Sequence, residues 1–288
     1  MSVQRKEIQV IPVQRNYGYE KRNWQQNSAV FQRKKKHKYK KKTRRSGVVI
    51  GLAMILLTLC VVTNWFTEMP VIGKNARIEY LTEQGIYPKE LLELLKKNEE
   101  TYDFVRNYPN REKYQSKHID LSKDVKKAEA PLLMQWDKRW GYDLYGDTMI
   151  ALSGCGPTCM TMAYLYHTKD TTMHPGKMAE YAQEEGYHSK EGTSWEFWTK
   201  GAEDLGMYGE EISLDENIMK AVLDADGVIV CSMSPGDFTD GGHYILLRGY
   251  DEKGFFVNDP NRKSNSKKQW DFKTLQKQMK NLWAIYAL

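Results

Sequence analysis

The sequence predicts an α+β domain preceded by one transmembrane helix. Three observations carry this reading. Helical apolar spacing dominates between Pro88 and Leu223, and β-branched and apolar runs bounded by turn residues dominate from Gly227 to Tyr286, so helices come first and an antiparallel sheet second. The twenty residues from Gly47 to Phe66 carry no charge. Charge is also segregated: residues 1–46 hold fifteen Lys or Arg against two acids, a net +13, whereas residues 47–288 hold 28 bases against 35 acids, a net −7.

Residues 1–46 show no sustained apolar period and read as a disordered basic tail. The run GVVIGLAMILLTLCVVTNWF, residues 47–66, is long enough as a helix to cross about 30 Å of hydrocarbon, and Trp65 suits the far interface. The cluster RKKKHKYKKKTRR before it holds the tail on the cytoplasmic side, which places residues 67–288 outside the cell membrane. A cleaved signal peptide fits less well, because no Ala-x-Ala-like site follows, and Leu59 before Cys60 is not the small residue that a lipoprotein signal wants. Basic runs also bind nucleic acid by counterion release, but an anionic lipid surface accounts for this one, so no nucleic-acid partner is expected.

Residues 67–130 read as a juxtamembrane connector. Within it, Pro88 opens a helix over about 88–108, with Leu91, Leu92, Leu94, Leu95, Tyr102 and Phe104 at helical spacing and Pro109 as its stop. Residues 109–130 are polar and Lys-rich, a linker or a wrapping arm. The compact domain is expected over 131–288. It begins with an aromatic loop, LLMQWDKRWGYDLYG, followed by a helix from Cys155 to His167. A second helix spans Ser194 to Leu205 with Ser194 as N-cap, and Ser213 and Glu216 have capping-box spacing for a third, to Leu223. Strands follow at Gly227–Met233, His243–Tyr250 and Phe255–Asn258, the last two joined by the turn Asp-Glu-Lys-Gly. A short helix near Phe272–Lys280 and a strand at Leu282–Tyr286 complete the pattern, and there is no internal repeat.

Chemistry concentrates in Ala151–Met162, ALSGCGPTCMTM. A helix puts Cys155 and Cys159 on one face with both side chains pointing the same way, a poor geometry for a disulfide. No Cys-x-x-Cys or His-x-x-x-His accompanies them, so no metal is expected. Cys231 lies on an apolar strand as packing, with a Cys159–Cys231 bridge as the alternative. Cys155 stands at the helix N-terminus, where unpaired N–H groups and the helix dipole favour a thiolate. The alternative for Cys155 is a small buried hydrophobe. A thiolate nucleophile needs a base, and the base an orienter. His243 follows Asp-Phe-Thr-Asp-Gly-Gly and begins an apolar strand; Asn258 or Asp259, at the end of the next strand, is the third group. A simple register with Tyr250 opposite Phe255 leaves Asp259 opposite Leu246, three residues from His243, so a bulge or strong twist must close the gap. Donors for an oxyanion are the Cys155 N–H and the amide of Gln135.

The elements MQWDKRWG, SGCGPTCMTM, GTSW and GGHYILLRGYDEKGFFVNDP together resemble the papain-fold cysteine peptidases related to bacteriocin-leader (double-glycine) processing peptidases, peptidase family thirty-nine, in its stand-alone peptidase-like branch. The resemblance covers about 131–288. It implies Cys155 as nucleophile, His243 as general base and acid, Asp259 as orienter and Gln135 as oxyanion-hole amide, with Gly192–Trp195 lining the site or bracing the fold. It implies no cofactor. The leader-processing enzymes precede a transporter, and this sequence has no Gly-x-x-x-x-Gly-Lys phosphate loop, so leader cleavage is not implied. The expected function is a membrane-anchored, extracytoplasmic thiol hydrolase acting on a peptide or protein, with residues 67–130 as a spacer or as an autoinhibitory arm lying over the cleft. The alternatives are a cell-wall amidase, whose partner is a peptidoglycan stem peptide, and a non-catalytic peptide-binding module on the same scaffold.

Overall fold

A computed structural model describes residues 73–115, 118–125, 128–190 and 192–288. The basic tail and the apolar run 47–66 lie outside the described residues, and among the described residues no helix is long and apolar enough to cross a membrane.

The described chain opens with a helical arm: α1 (Lys74–Glu83), α2 (Lys89–Lys97) and α3 (Tyr102–Arg106), with 3-10 turns at Glu99–Thr101 and Tyr108–Lys113. The single helix expected over 88–108 is broken at Asn98. Its backbone is extended (φ −139°, ψ 101°) and its Oδ1 accepts from the Glu100 N–H at 3.1 Å, so it starts a new turn instead of continuing the old one. Asn competes for backbone hydrogen bonds inside a helix and favours this capping role. Pro109 does not end a helix; it sits in the first turn of the second 3-10 segment, where its missing N–H is not needed. Helix α1 escaped the sequence reading because Leu81 is its only buried residue.

The arm is not a free spacer. Leu81, Leu91, Leu95, Phe104 and Val105 form one apolar cluster with Met134, Trp136, Tyr142 and Ala151. The following segment wraps the domain, with Leu121 fully buried and Asp124 held by the Arg139 guanidinium at 2.8 and 3.0 Å.

The domain then runs through α4 (Ile150–Ser153), α5 (Cys155–Thr168), α6 (Pro175–Glu184), a 3-10 turn at Trp195–Trp198 and α7 (Lys200–Asp204). It continues with β1 (Met207–Ile212), α8 (Glu216–Asp224), β2 (Val228–Met233), β3 (His243–Asp251), β4 (Gly254–Asn258), β5 (Gln269–Trp270), α9 (Phe272–Leu275) and β6 (Met279–Ala287). The six strands form one antiparallel sheet in the order β1-β6-β2-β3-β4-β5. Mixed helix and sheet in an α+β arrangement is therefore the architecture.

Strands β2 and β3 are buried on both faces. Val228, Val230, Leu246 and Ile285 pack toward α5, whereas Ile229, Cys231, Met233, Ile245 and Leu247 pack toward α8 and α9. Two-sided burial is why these strands read as continuous apolar runs rather than clean alternation.

Several elements differ from expectation for local reasons. Residues 194–205 split at Thr199 into the 3-10 turn and α7. Phe197 and Trp198 are adjacent and both fully buried, and neighbours in an α-helix cannot share one face. The cap of α8 is Asp215, not Ser213; Asp215 Oδ1 accepts from the N–H groups of Asn217 and Ile218 at 2.9 and 3.1 Å. The helix expected to reach Lys280 stops at Leu275, and β6 starts at Met279. Helix α6 and edge strand β1 had no strong pattern, since β1 buries only Met207 and Gly209.

Candidate active site

Helix α5 is buried almost all round and points its N-terminus at the start of β3. Cys155 is its first residue, following a separate single-turn helix, α4, and the linking Gly154. By position its N–H has no acceptor inside α5. Pro157 lies in the first turn, where it costs no hydrogen bond, and Thr158 Oγ1 donates to the Gly154 carbonyl at 2.7 Å, which closes the turn. Gly154 and Gly156 are required here for space. A Cβ on Gly154 would lie 2.6 Å from the Ile150 carbonyl oxygen, and one on Gly156 would lie 2.2 Å from Thr193 Oγ1. Thr193 is fixed in turn by Tyr145 Oη at 2.9 Å and by the Tyr244 hydroxyl, which donates to its carbonyl at 3.1 Å. The Gly192–Trp195 segment thus braces the helix start. Gly154→Ala should cost about 1–3 kcal/mol of stability by overpacking this turn, measured by denaturant unfolding; a change below about 0.5 kcal/mol would mean that the turn has slack.

His243 is buried and begins β3, opposite Met233. Its Nε2 lies 2.9 Å from Asp259 Oδ1. The register explains how. Tyr250 pairs with Phe255 as the turn requires, but the ladder shifts between Leu247 and Gly249, so that Leu246 pairs with Asn258. Continued one residue, this sets Asp259 opposite Ile245 instead of Leu246. A one-residue shift moves a side chain to the other face of a sheet. The bulge therefore turns Asp259 to the face of His243 and brings it one residue nearer. It also decides between the two candidate orienters. Asn258 faces the other way, donating to the carbonyls of Ala130 and Pro131 at 3.0 and 3.1 Å and accepting from Arg248 Nε at 3.1 Å.

Asp259 is fully buried and fully engaged. Oδ1 also accepts from the N–H groups of Asn261 and Arg262 at 2.8 and 3.2 Å, and Oδ2 from Asn265 Nδ2 at 2.7 Å. Burial alone would raise its pKa, but His243 and these donors hold it below the usual carboxylate value. For His243, burial opposes the charge, yet Asp259 and Cys155 prevail and push its pKa up to about 10. Burial likewise pushes the Cys155 thiol up, but the hydrogen bond and charge of His243, with the backbone N–H groups of Tyr244 and Gly156, bring it below the ordinary thiol value. With Nε2 on Asp259, Nδ1 is the ring nitrogen left for the sulfur. The other two described cysteines, Cys159 and Cys231, are free and fully buried, and burial drives both thiols upward. The Cys159–Cys231 bridge is not formed.

Gln135 is buried at the edge of the same cleft. Its Nε2 donates one hydrogen to the Ala151 carbonyl at 2.9 Å, and an amide nitrogen has a second. Its backbone N–H donates to the Pro260 carbonyl at 2.8 Å. The flanking indoles lock this loop: Trp136 Nε1 donates to the Asn261 carbonyl and Trp140 Nε1 to the Met134 carbonyl.

Gln135, Cys155 and His243 line one cleft of about 540 Å³, with Leu152 and Asn261 beside them. Lys89, Glu90, Glu93, Leu94 and Lys97, all from α2 of the arm, line it too. Of the two readings of residues 67–130, spacer or arm over the cleft, the lining matches the second in placing the arm at the cleft. Among the described residues no group of three or more His, Cys, Asp or Glu is placed to hold a metal.

A helix-borne cysteine facing a histidine and an aspartate on an antiparallel sheet defines a papain-like domain. The chain belongs to the Peptidase_C39 like family, whose model matches residues 127–287. Among solved structures it is similar to the peptidase domain of Streptococcus ComA, described as a bifunctional ABC transporter involved in a quorum-sensing pathway. That likeness has 17% sequence identity and a TM-score of 0.37, over 47% of this chain and 93% of that one. No curated protein matches the sequence. Family membership gives a peptidase-like function and, coarsely, a peptide substrate.

Proposed function

We propose that the protein is a membrane-anchored, extracytoplasmic cysteine peptidase in which Cys155, His243, Asp259 and Gln135 carry the reaction. The observation that supports this most is the buried His243–Asp259 pair, 2.9 Å apart, set beside a cysteine at a helix N-terminus. The anchor rests on the uncharged run 47–66 and the basic residues before it. The catalytic domain is residues 131–288, with residues 67–130 preceding it.

In this reading the Cys155 thiolate attacks the scissile carbonyl carbon, and the carbonyl π electrons move to oxygen. The Cys155 N–H and the second Gln135 Nε2 hydrogen hold that oxyanion. Collapse breaks the C–N bond, and imidazolium His243 gives its proton to the leaving amine. Neutral His243 then takes a proton from water as the water attacks the thioester. The second collapse expels the thiolate, frees the carboxylic acid and restores the pair. Asp259 holds the imidazole in orientation throughout.

The test is a mixture of diverse unstructured peptides and peptidoglycan stem peptides, incubated with the full chain and read by mass spectrometry. Cleavage of one class that disappears in Cys155→Ala supports the proposal and tells a peptidase from a cell-wall amidase. Cleavage that persists in Cys155→Ala, or two intact substrate classes beside a reactive thiol, contradicts it and favours a binding module.

A further inference from the structure

The loop that carries Asp259 is held from two sides, and the second side is the arm. From within, the Asp259 carboxylate gathers the N–H groups of Asn261 and Arg262, as described above. From outside, Glu100 accepts from the next two N–H groups in line, Lys263 at 2.6 Å through Oε2 and Ser264 at 3.0 Å through Oε1. Asn98 Nδ2 donates to the Asn261 carbonyl at 2.6 Å, and Arg262 Nη2 donates back to the Lys97 carbonyl at 2.9 Å. Two carboxylates 159 residues apart in sequence, Glu100 and Asp259, therefore grip four successive N–H groups of one turn.

We infer that the arm is a working part of the site, and that Glu100, with Asn98, is a positioning residue that sets Asp259 against His243. The inference rests on the reading of Cys155 as a thiolate nucleophile. Three observations support it. The contacts are specific hydrogen bonds to the 261–264 turn rather than general packing. Asn98 is itself buried, and the arm is anchored on the domain by its own apolar cluster, so its polar groups are held in place. The same arm also supplies a wall of the cleft through α2. A residue that orients a reacting group must itself be locked by neighbours, and here those neighbours lie on the arm. The family model begins at residue 127, so this half of the clamp lies outside the part of the chain that the family describes.

The test uses the full chain and follows alkylation of Cys155 by iodoacetamide against pH, resolved by peptide mapping, for wild type, E100A, E100Q and N98A. Unfolding midpoints are measured on each. E100A should slow Cys155 alkylation at pH 5.5 by about threefold, because a thiol pKa raised to about 7 leaves roughly 3% of the sulfur as thiolate there while its greater basicity returns a factor of about 10, and it should not slow alkylation at pH 9.5. E100Q, which keeps an oxygen acceptor for one of the two N–H groups, should recover most of the loss. Cys159 and Cys231 should stay unreactive in every variant, which separates a repositioned Asp259 from partial unfolding. If E100A does not fold, N98A carries the same comparison, with an expected loss at pH 5.5 of a few-fold. A fast wild type with equally fast E100A and N98A at pH 5.5 overturns this inference and leaves the thiolate reading intact. A wild type that is itself slow at pH 5.5 overturns the thiolate reading, and this inference with it.

Discussion

Replacing His243 with alanine should slow Cys155 alkylation at pH 5.5 by at least about 30-fold. An unperturbed thiol with a pKa of about 8.5 is only about 0.1% ionised at that pH. A stabilised thiolate is intrinsically less nucleophilic, which returns a factor of about 10–30 and sets the net effect. Without His243, burial remains and drives the Cys155 thiol upward, so the loss exceeds that of an ordinary exposed cysteine. The sign of the upper limb follows from His243. Its pKa is pushed up to about 10, so the imidazolium that protonates the leaving amine persists to that pH and is lost above it. Peptide cleavage should therefore be flat through neutral pH and decline near pH 10, whereas alkylation, which needs only the thiolate, should not decline there. An H243A variant that alkylates as fast as wild type at pH 5.5 would break the link between the two residues.

The largest stability effect should come from Asp259→Ala, about 3–5 kcal/mol by denaturant unfolding at pH 7. The carboxylate is fully buried and accepts four hydrogen bonds, from His243, Asn261, Arg262 and Asn265. Removing it orphans those donors and leaves the imidazolium without its partner. Asp259→Asn keeps one acceptor oxygen for the turn and should cost less. Linkage gives the pH window. The folded pKa of Asp259 is lowered, so its contribution is present above the unfolded value of about 3.9 and is lost as pH falls through the lowered one. That of His243 is raised, so its contribution is complete below about 6.5 and is lost as pH rises toward about 10. A loss in Asp259→Ala below about 1 kcal/mol would mean that the turn holds itself without the carboxylate.

What was legible in the sequence was what is local. Cys155 declares itself through Gly-Cys-Gly-Pro at a helix start, and His243 through Gly-Gly before an apolar strand, because the backbone freedom and the element boundary sit within a few residues. Asp259 was legible only as one of two candidates. The choice depends on a bulge at Arg248–Gly249, eleven residues away, and a glycine inside a strand pattern is the signal that could have located it. Gln135 has only a weak local signature, a lone amide beside Trp136 and Trp140 upstream of Cys155; the family resemblance strengthened it, and the cleft is lined by it together with Cys155. The clamp of Asn98 and Glu100 was illegible, because it joins segments 163 and 164 residues apart through backbone N–H and carbonyl groups that carry no sequence identity. The arm itself read as either a spacer or a cover for the cleft, since an apolar helix stripe does not say which surface it meets.

Site-resolved alkylation of the wild-type chain between pH 5 and 9.5 tests the central claim most directly. Cys155 should react at a nearly constant rate across that range, while buried Cys159 and Cys231 react only after unfolding. A Cys155 rate that climbs tenfold per pH unit and levels off above about 8.5, as for an ordinary thiol, would contradict a thiolate held by His243, and with it the reading of this cleft as a cysteine peptidase site.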